Sequence, residues 1–194
     1  NNCTSLKQVS IPSVTVIEKC AFFNCKSLTH ILLPVFLKSI DDHAFGGCVS
    51  LKQISIPSSV ISVGKGCFKK CTSLVQVLIH SINITIKSYA FDECKKLSHI
   101  SICGSTKTIE KCIFRECTLL TQISIPSSAT EINEYAFYKC TSLKQILIPS
   151  SIKSLGNNAF EGCNSLEEIF IFDSPEILNK CSSVTKDQTH STTV

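Results

Sequence analysis

Hydrophobic and polar residues recur along the chain with a period of 23. Cys25, Cys48, Cys71, Cys94, Cys117, Cys140 and Cys163 form one column, and a Leu follows each by three residues, from Leu28 to Leu166. A Phe precedes each of these cysteines by three residues, from Phe22 to Phe160, with an aliphatic residue five before each Phe, from Ile17 to Leu155. Two more aliphatics, three and five after each Leu, alternate with polar residues, as in Ile54-Ser55-Ile56. That alternation has the period of a strand. Pro57 then ends the strand, having no N–H for a neighbouring ladder, and Ser58 and Ser59 turn the chain. Val60 and Val63 are expected to point inward, and Gly64 and Gly66 to bend the backbone. The Cys67–Cys71 spacing predicts one helical turn with Phe68 and Cys71 on its inner face. No single unit can bury this much apolar surface, whereas stacked units cover one another. The expected architecture is a right-handed stack of about eight rungs, each giving one short strand to a parallel sheet of about 4.8 Å spacing.

One unit, running Ala136-Phe137-Tyr138-Lys139-Cys140-Thr141-Ser142-Leu143-Lys144-Gln145-Ile146-Leu147-Ile148-Pro149-Ser150-Ser151-Ile152, resembles the BspA-like, or Treponema pallidum type, class of leucine-rich repeats. The resemblance extends over residues 1–178. It implies a leucine-rich repeat solenoid with a parallel β-sheet on one face and short or helical turns on the other. Members of the class are mostly surface-associated binding proteins of bacteria and protozoan parasites. The resemblance therefore implies a cell-surface or extracellular, adhesin-like module with a protein or glycan partner. Residues 179–194 are rich in Ser and Thr and read as a polar tail or linker. The array opens mid-unit, since Asn1–Leu6 lacks the Ala-Phe half, which predicts further repeats ahead of it.

Composition narrows the function classes. Nineteen basic against 15 acidic residues in 194 give a net +4, without the concentrated basic face of a nucleic-acid binder. No apolar run approaches the roughly 18–20 residues of a membrane span, and the N-terminus lacks a signal-peptide pattern. Lys69-Lys70 and Lys95-Lys96 fall on the turn after Phe and read as a solvated outer face. Asn2-Cys3-Thr4 and Asn83-Ile84-Thr85 match the glycosylation acceptor pattern, although Asn83 falls in a column that is elsewhere inward and aliphatic.

Candidate chemistry is sparse. Metal sites need Cys or His converging on one point, whereas the seven-fold column places one Cys per rung and no Cys-x-x-Cys occurs. The ladder reads as buried, reduced and structural. Of the remaining cysteines, Cys67 replaces a core Ala, Cys20 and Cys112 share a column with His43, Tyr89 and Tyr135 and are expected to be partly buried instead of exposed and reactive, and Cys3, Cys103 and Cys181 lie off the pattern. His30 and His99 share a column but stand three rungs apart, about 14 Å by strand spacing. His80 and Cys103 replace the usual Pro in consecutive rungs, which suggests a local loosening of the repeat. No nucleophile elbow, phosphate loop or dinucleotide fingerprint occurs. No enzymatic activity, cofactor or metal is expected.

The sheet surface carries the candidate site. Positions two and four after each Leu should face solvent there, giving His30, Leu32, Gln76, Leu78, His99, Gln145 and Leu147 as candidate partner-binding residues. A Gln column could also satisfy itself by amide hydrogen bonds, and the leucines read as isolated. The alternative function is an intracellular leucine-rich repeat scaffold for protein–protein assembly, favoured by the many thiols.

Overall fold

The computed structural model describes residues 2–102 and 104–171. Cys103, Cys181, the last positions of the expected array (172–178) and the expected tail (179–194) lie outside the described residues. Each rung contributes two strands instead of the single one expected. In chain order they are β1 (Gln8–Ser10), β2 (Val16–Ile17), β3 (His30–Leu32), β4 (Ser39–Ile40), β5 (Gln53–Ile56), β6 (Ser62–Val63), β7 (Gln76–Ile79) and β8 (Thr85–Ile86). They continue as β9 (His99–Ile100), β10 (Thr108–Ile109), β11 (Gln122–Ser124), β12 (Glu131–Ile132), β13 (Gln145–Ile148), β14 (Ser154–Leu155) and β15 (Glu168–Ile171). The odd strands are the Ile-x-Ile segments. The even strands are the short extended pieces beyond the Ser-Ser turn. All pair in parallel with the equivalent strand of a neighbouring rung, as in Gln53↔Gln76 and Ser62↔Thr85.

The core follows the columns of the sequence. Phe22, Phe45, Phe68, Phe91, Phe114, Phe137 and Phe160 stack ring over ring with centroids 5.3–5.7 Å apart. Five of these rings, from Phe45 to Phe137, are wholly buried, as are Cys48, Cys71, Cys94, Cys117 and Cys140 beside them. Identical residues in register give each ring the offset stacking that aromatic pairs favour.

No helix occurs among the described residues, and the expected helical turn is replaced by a tighter arrangement. Alternate N–H groups point in two directions. Ala44, Gly46 and Cys48 donate within the rung to the carbonyl three residues back, while His43, Phe45 and Gly47 donate to Lys65, Cys67 and Lys69 of the next rung. Two residues per rung adopt the left-handed region, as at His43 (φ 57°) and Gly47 (φ 74°). These reversals turn every second amide outward, so an α-helix cannot propagate, yet the backbone donors are satisfied rung to rung.

Both strand ladders are interrupted beside the rung of residues 97–119. The odd strands divide into β1–β3, β5–β7–β9 and β11–β13–β15, and the even ones into β2–β4–β6–β8 and β10–β12–β14. The even ladder therefore parts before the rung of residues 97–119 and the odd ladder after it, as it also does between β3 and β5, while the turn edge stays closed there through Tyr89, Phe91 and Glu93 donating to Lys111, Ile113 and Arg115. Pro is missing from this rung and from the one before it, and Gly104 (φ 81°) leads an irregular turn in which Ser105 donates its N–H to Ile82 O. A Cβ at Gly104 would collide with the Ile82 carbonyl, so glycine is required at this approach. The seam begins beyond His80, one of the two positions where a local loosening of the repeat is expected; the other, Cys103, lies outside the described residues.

Candidate functional site

The seam lies beneath the sheet face and forms a groove of about 430 Å³. Gln76, Leu78 and His80 border it from β7 and its end, Ser98, His99 and Ser101 from the β9 segment, and Gln122 from β11. Its depth follows from the shortness of β9 and the missing β9–β11 pairing, which leave Ile100 only partly covered. The His80 Nε2 lies 2.9 Å from the Ser55 hydroxyl, and the His99 Nδ1 lies 2.8 Å from the Ser98 hydroxyl. These contacts hold two imidazoles at the rim. With Gln76, Gln122 and Leu78 (45 % exposed), the rim is an uncharged mixture of donors, acceptors and one apolar anchor.

The structure divides the seven expected site residues into three groups. Gln76, Leu78 and His99 meet at the groove. His30, whose Nδ1 lies 3.0 Å from the Thr29 hydroxyl, and Leu32 stand apart on β3, with β5 between them and the groove. Gln145 and Leu147 sit on β13, where Gln145 Nε2 donates to Glu168 at 3.0 Å. The leucines are not all isolated: Leu147 is the register partner of Phe170, and both remain about half exposed at 43 % and 48 %. Ser101 and Gln122 share columns with the named residues and Ser98 lies one position before His99, but only the opened ladder turns them into one site. His80 was marked in the sequence by its replacement of Pro.

The cysteine ladder has a structural occupation. The Sγ atoms of Cys48, Cys71, Cys94, Cys117, Cys140 and Cys163 donate to the carbonyls of Phe22, Phe45, Phe68, Phe91, Phe114 and Phe137, each in the preceding rung, at 3.1–3.2 Å. Each such carbonyl also accepts the N–H of the Cys in its own rung, as Phe45 O does from Cys48. Burial pushes the Cys48 thiol up to about 12 and raises Cys71, Cys94, Cys117 and Cys140 well above the ordinary thiol value. Protonated at neutral pH, these thiols are donors and not nucleophiles. Cys67 is buried and Cys20 half-buried, as expected, whereas Cys112 is buried more fully than the partial burial expected of it. Their column provides the first left-handed residue of each rung, which turns the side chain against its neighbour instead of into solvent. Among the described residues no group of three or more His, Cys, Asp or Glu is placed to hold a metal ion.

The lysine turns are exposed at Lys70, Lys95 and Lys96, as expected of a solvated face, whereas Lys69 is only partly exposed and both Lys69 and Lys70 meet carboxylates of the next rung. Lys69 lies 3.0 Å from Asp92 and Lys70 3.8 Å from Glu93. Arg115, one rung further, grips Asp92 with two nitrogens at 2.7 and 3.1 Å and meets Glu93 at 3.2 Å. Asp92 is wholly buried, and the hydrogen bonds to it raise the Arg115 guanidinium above its ordinary value. The residue after Phe thus reads plus, minus, plus over Lys69, Asp92 and Arg115. That order stabilises one rung register.

The profile described as the BspA type leucine rich repeat region matches residues 1–119 and 84–186, in six copies. No curated protein sequence matches the chain. Among solved structures, a leucine-rich repeat protein of T. pallidum is 33 % identical, with 69 % of this chain and 63 % of that one aligned at a TM-score of 0.66. One from Bacteroides ovatus is 28 % identical over 86 % of this chain and 49 % of its own, TM-score 0.70. Another from Eubacterium ventriosum is 26 % identical over 89 % and 45 %, TM-score 0.74. The chain spans less than two thirds of each of these structures.

Proposed function

Because the chain belongs to the BspA-type leucine-rich repeat family, we propose that it is a non-enzymatic binding module, displayed at a cell surface or secreted, that takes a protein or glycan partner on its sheet face. The observation that carries this reading is the seam groove. It is the place where the repeat departs from its own pattern and gathers Gln76, Leu78, His80, His99 and Gln122 around a concavity. An uncharged rim with one apolar anchor suits a few buried contacts ringed by hydrogen bonds, an arrangement with little dependence on salt. Leu147 and Phe170 extend the same face two and three rungs beyond β9.

The test is a paired peptide and glycan array probed with the labelled chain. Leu78→Asp is expected to abolish the retained signals, and Lys95/Lys96→Glu to leave them. Lys95 and Lys96 are exposed and make the cleaner charge control, because Lys69 and Lys70 are held by Asp92 and Glu93. Signals lost only in the lysine variant, with the Leu78 variant folded and still bound, would overturn the reading. The intracellular scaffold reading draws on the many cysteines of the chain. The buried hydrogen-bonded ladder accounts for six of these without reference to compartment.

A further inference from the structure

We propose that Asn83 is the acceptor of an N-linked glycan. In the rung of residues 51–73 the loop turns Val60 inward and Ile61 outward. In the rung of residues 74–96 these roles are exchanged: Ile84 is buried at 2 % exposure, and Asn83 and Thr85 both face solvent. The exchange coincides with the loss of Pro at His80 and with a buried Ser81. Asn-Ile-Thr is therefore laid out with its aliphatic residue in the core and its two recognition residues on the outer side.

The carboxamide is also oriented. Ser105 donates its hydroxyl to Asn83 Oδ1 at 2.9 Å, so the nitrogen that would carry the sugar lies on the other side of the carboxamide. Thr85 is fixed next to it by its N–H donating to Ile61 O at 2.9 Å. Ile61 and Ile82, exposed at 59 % and 68 % on the same edge, are apolar surface that a first saccharide ring would cover.

The step is a group transfer from a polyprenyl-pyrophosphate-linked oligosaccharide, catalysed by a membrane oligosaccharyltransferase. The Asn83 Nδ2 forms a bond to the anomeric carbon, the bond from that carbon to the pyrophosphate oxygen breaks, one amide proton is lost, and polyprenyl pyrophosphate leaves. The proposal shares with the functional reading only passage through a secretory compartment. Its readout is chemical, so groove binding can fail without affecting it.

The chain, behind a strong secretory leader and carrying Asn2→Gln to remove the other acceptor, is translated into endoplasmic-reticulum microsomes. A glycosidase-sensitive gel shift is expected in the protease-protected fraction. Asn83→Gln and Thr85→Ala should abolish it, and Thr85→Ser should retain it. Peptide mapping after amidase release should find aspartate at this position. Protease-protected chain without the shift, or a shift that persists in Asn83→Gln, would overturn the proposal.

Discussion

Replacing Cys94 separates the two contributions that the cysteine ladder makes. Its sulfur is wholly buried and donates to Phe68 O at 3.1 Å, a carbonyl that already accepts the Cys71 N–H at 3.0 Å. Cys94→Ala removes one buried heavy atom, costing about 1 kcal/mol in transfer and cavity terms. It also removes a weak hydrogen bond worth about 0.5–1 kcal/mol. The expected loss is about 1.5–2 kcal/mol in all. Cys94→Ser leaves a smaller void and keeps a donor aimed at the Phe68 carbonyl, so its hydroxyl has a partner and its cost falls to about 1 kcal/mol. Urea unfolding followed by circular dichroism gives both values, provided the slope is unchanged between variants. The order of the two is decisive. A serine variant clearly less stable than the alanine variant would mean that the hydroxyl is buried without its partner, and the rung-to-rung thiol bond would be refuted.

Three further outcomes follow from the same geometry. Asp92→Ala leaves Arg115 and Lys69 without their shared carboxylate and is expected to cost about 3–5 kcal/mol by urea unfolding, the range for breaking a buried ion pair. A loss below about 1 kcal/mol would show that the pair is not coupled to the fold. The ladder thiols are raised by burial, so their contribution to stability is complete below the ordinary thiol value of 9.0 and is lost as pH climbs toward 12 for Cys48. The melting temperature should hold steady from pH 7 to about 8.5 and fall steeply above, and alkylation of native chain should stay slow until that fall begins. Gly104→Ala forces a Cβ into the Ile82 carbonyl at φ 81°, and hydrogen exchange should then rise around residues 80–84 and 104–106 while the Phe stack stays protected.

Much of the fold was legible because the interior repeats in sequence as it does in space. Phe45, Phe68 and Phe91 share a column, and a stack of identical rungs leaves them nowhere to go but over one another. The second strand of each rung was harder to see. Two residues such as Ser62–Val63 are too short to show alternation, and only pairing across rungs makes them a strand. The helical turn was misread because Phe68 and Cys71 have helix spacing, and the left-handed Gly66 and Lys70 that break it need no special residue type: His43, Tyr89 and Glu116 adopt the same conformation. The site was legible only in part. Gln76, Leu78 and His99 stood in visible columns, whereas the opening that unites them with Gln122 depends on pairing lost between β9 and β11. Likewise the burial of Asp92 required the two cations of neighbouring rungs, one 23 residues before it and one 23 after.

The central claim is that partners dock at the seam. Hydrogen–deuterium exchange of the chain, with and without a peptide or glycan selected from the arrays, tests it most directly, because it reports the contacted backbone without any substitution. Protection confined to residues 76–80, 98–102 and 122–124 is the predicted result. Protection on the turns at residues 65–70 and 88–96, with the seam unchanged, would contradict it.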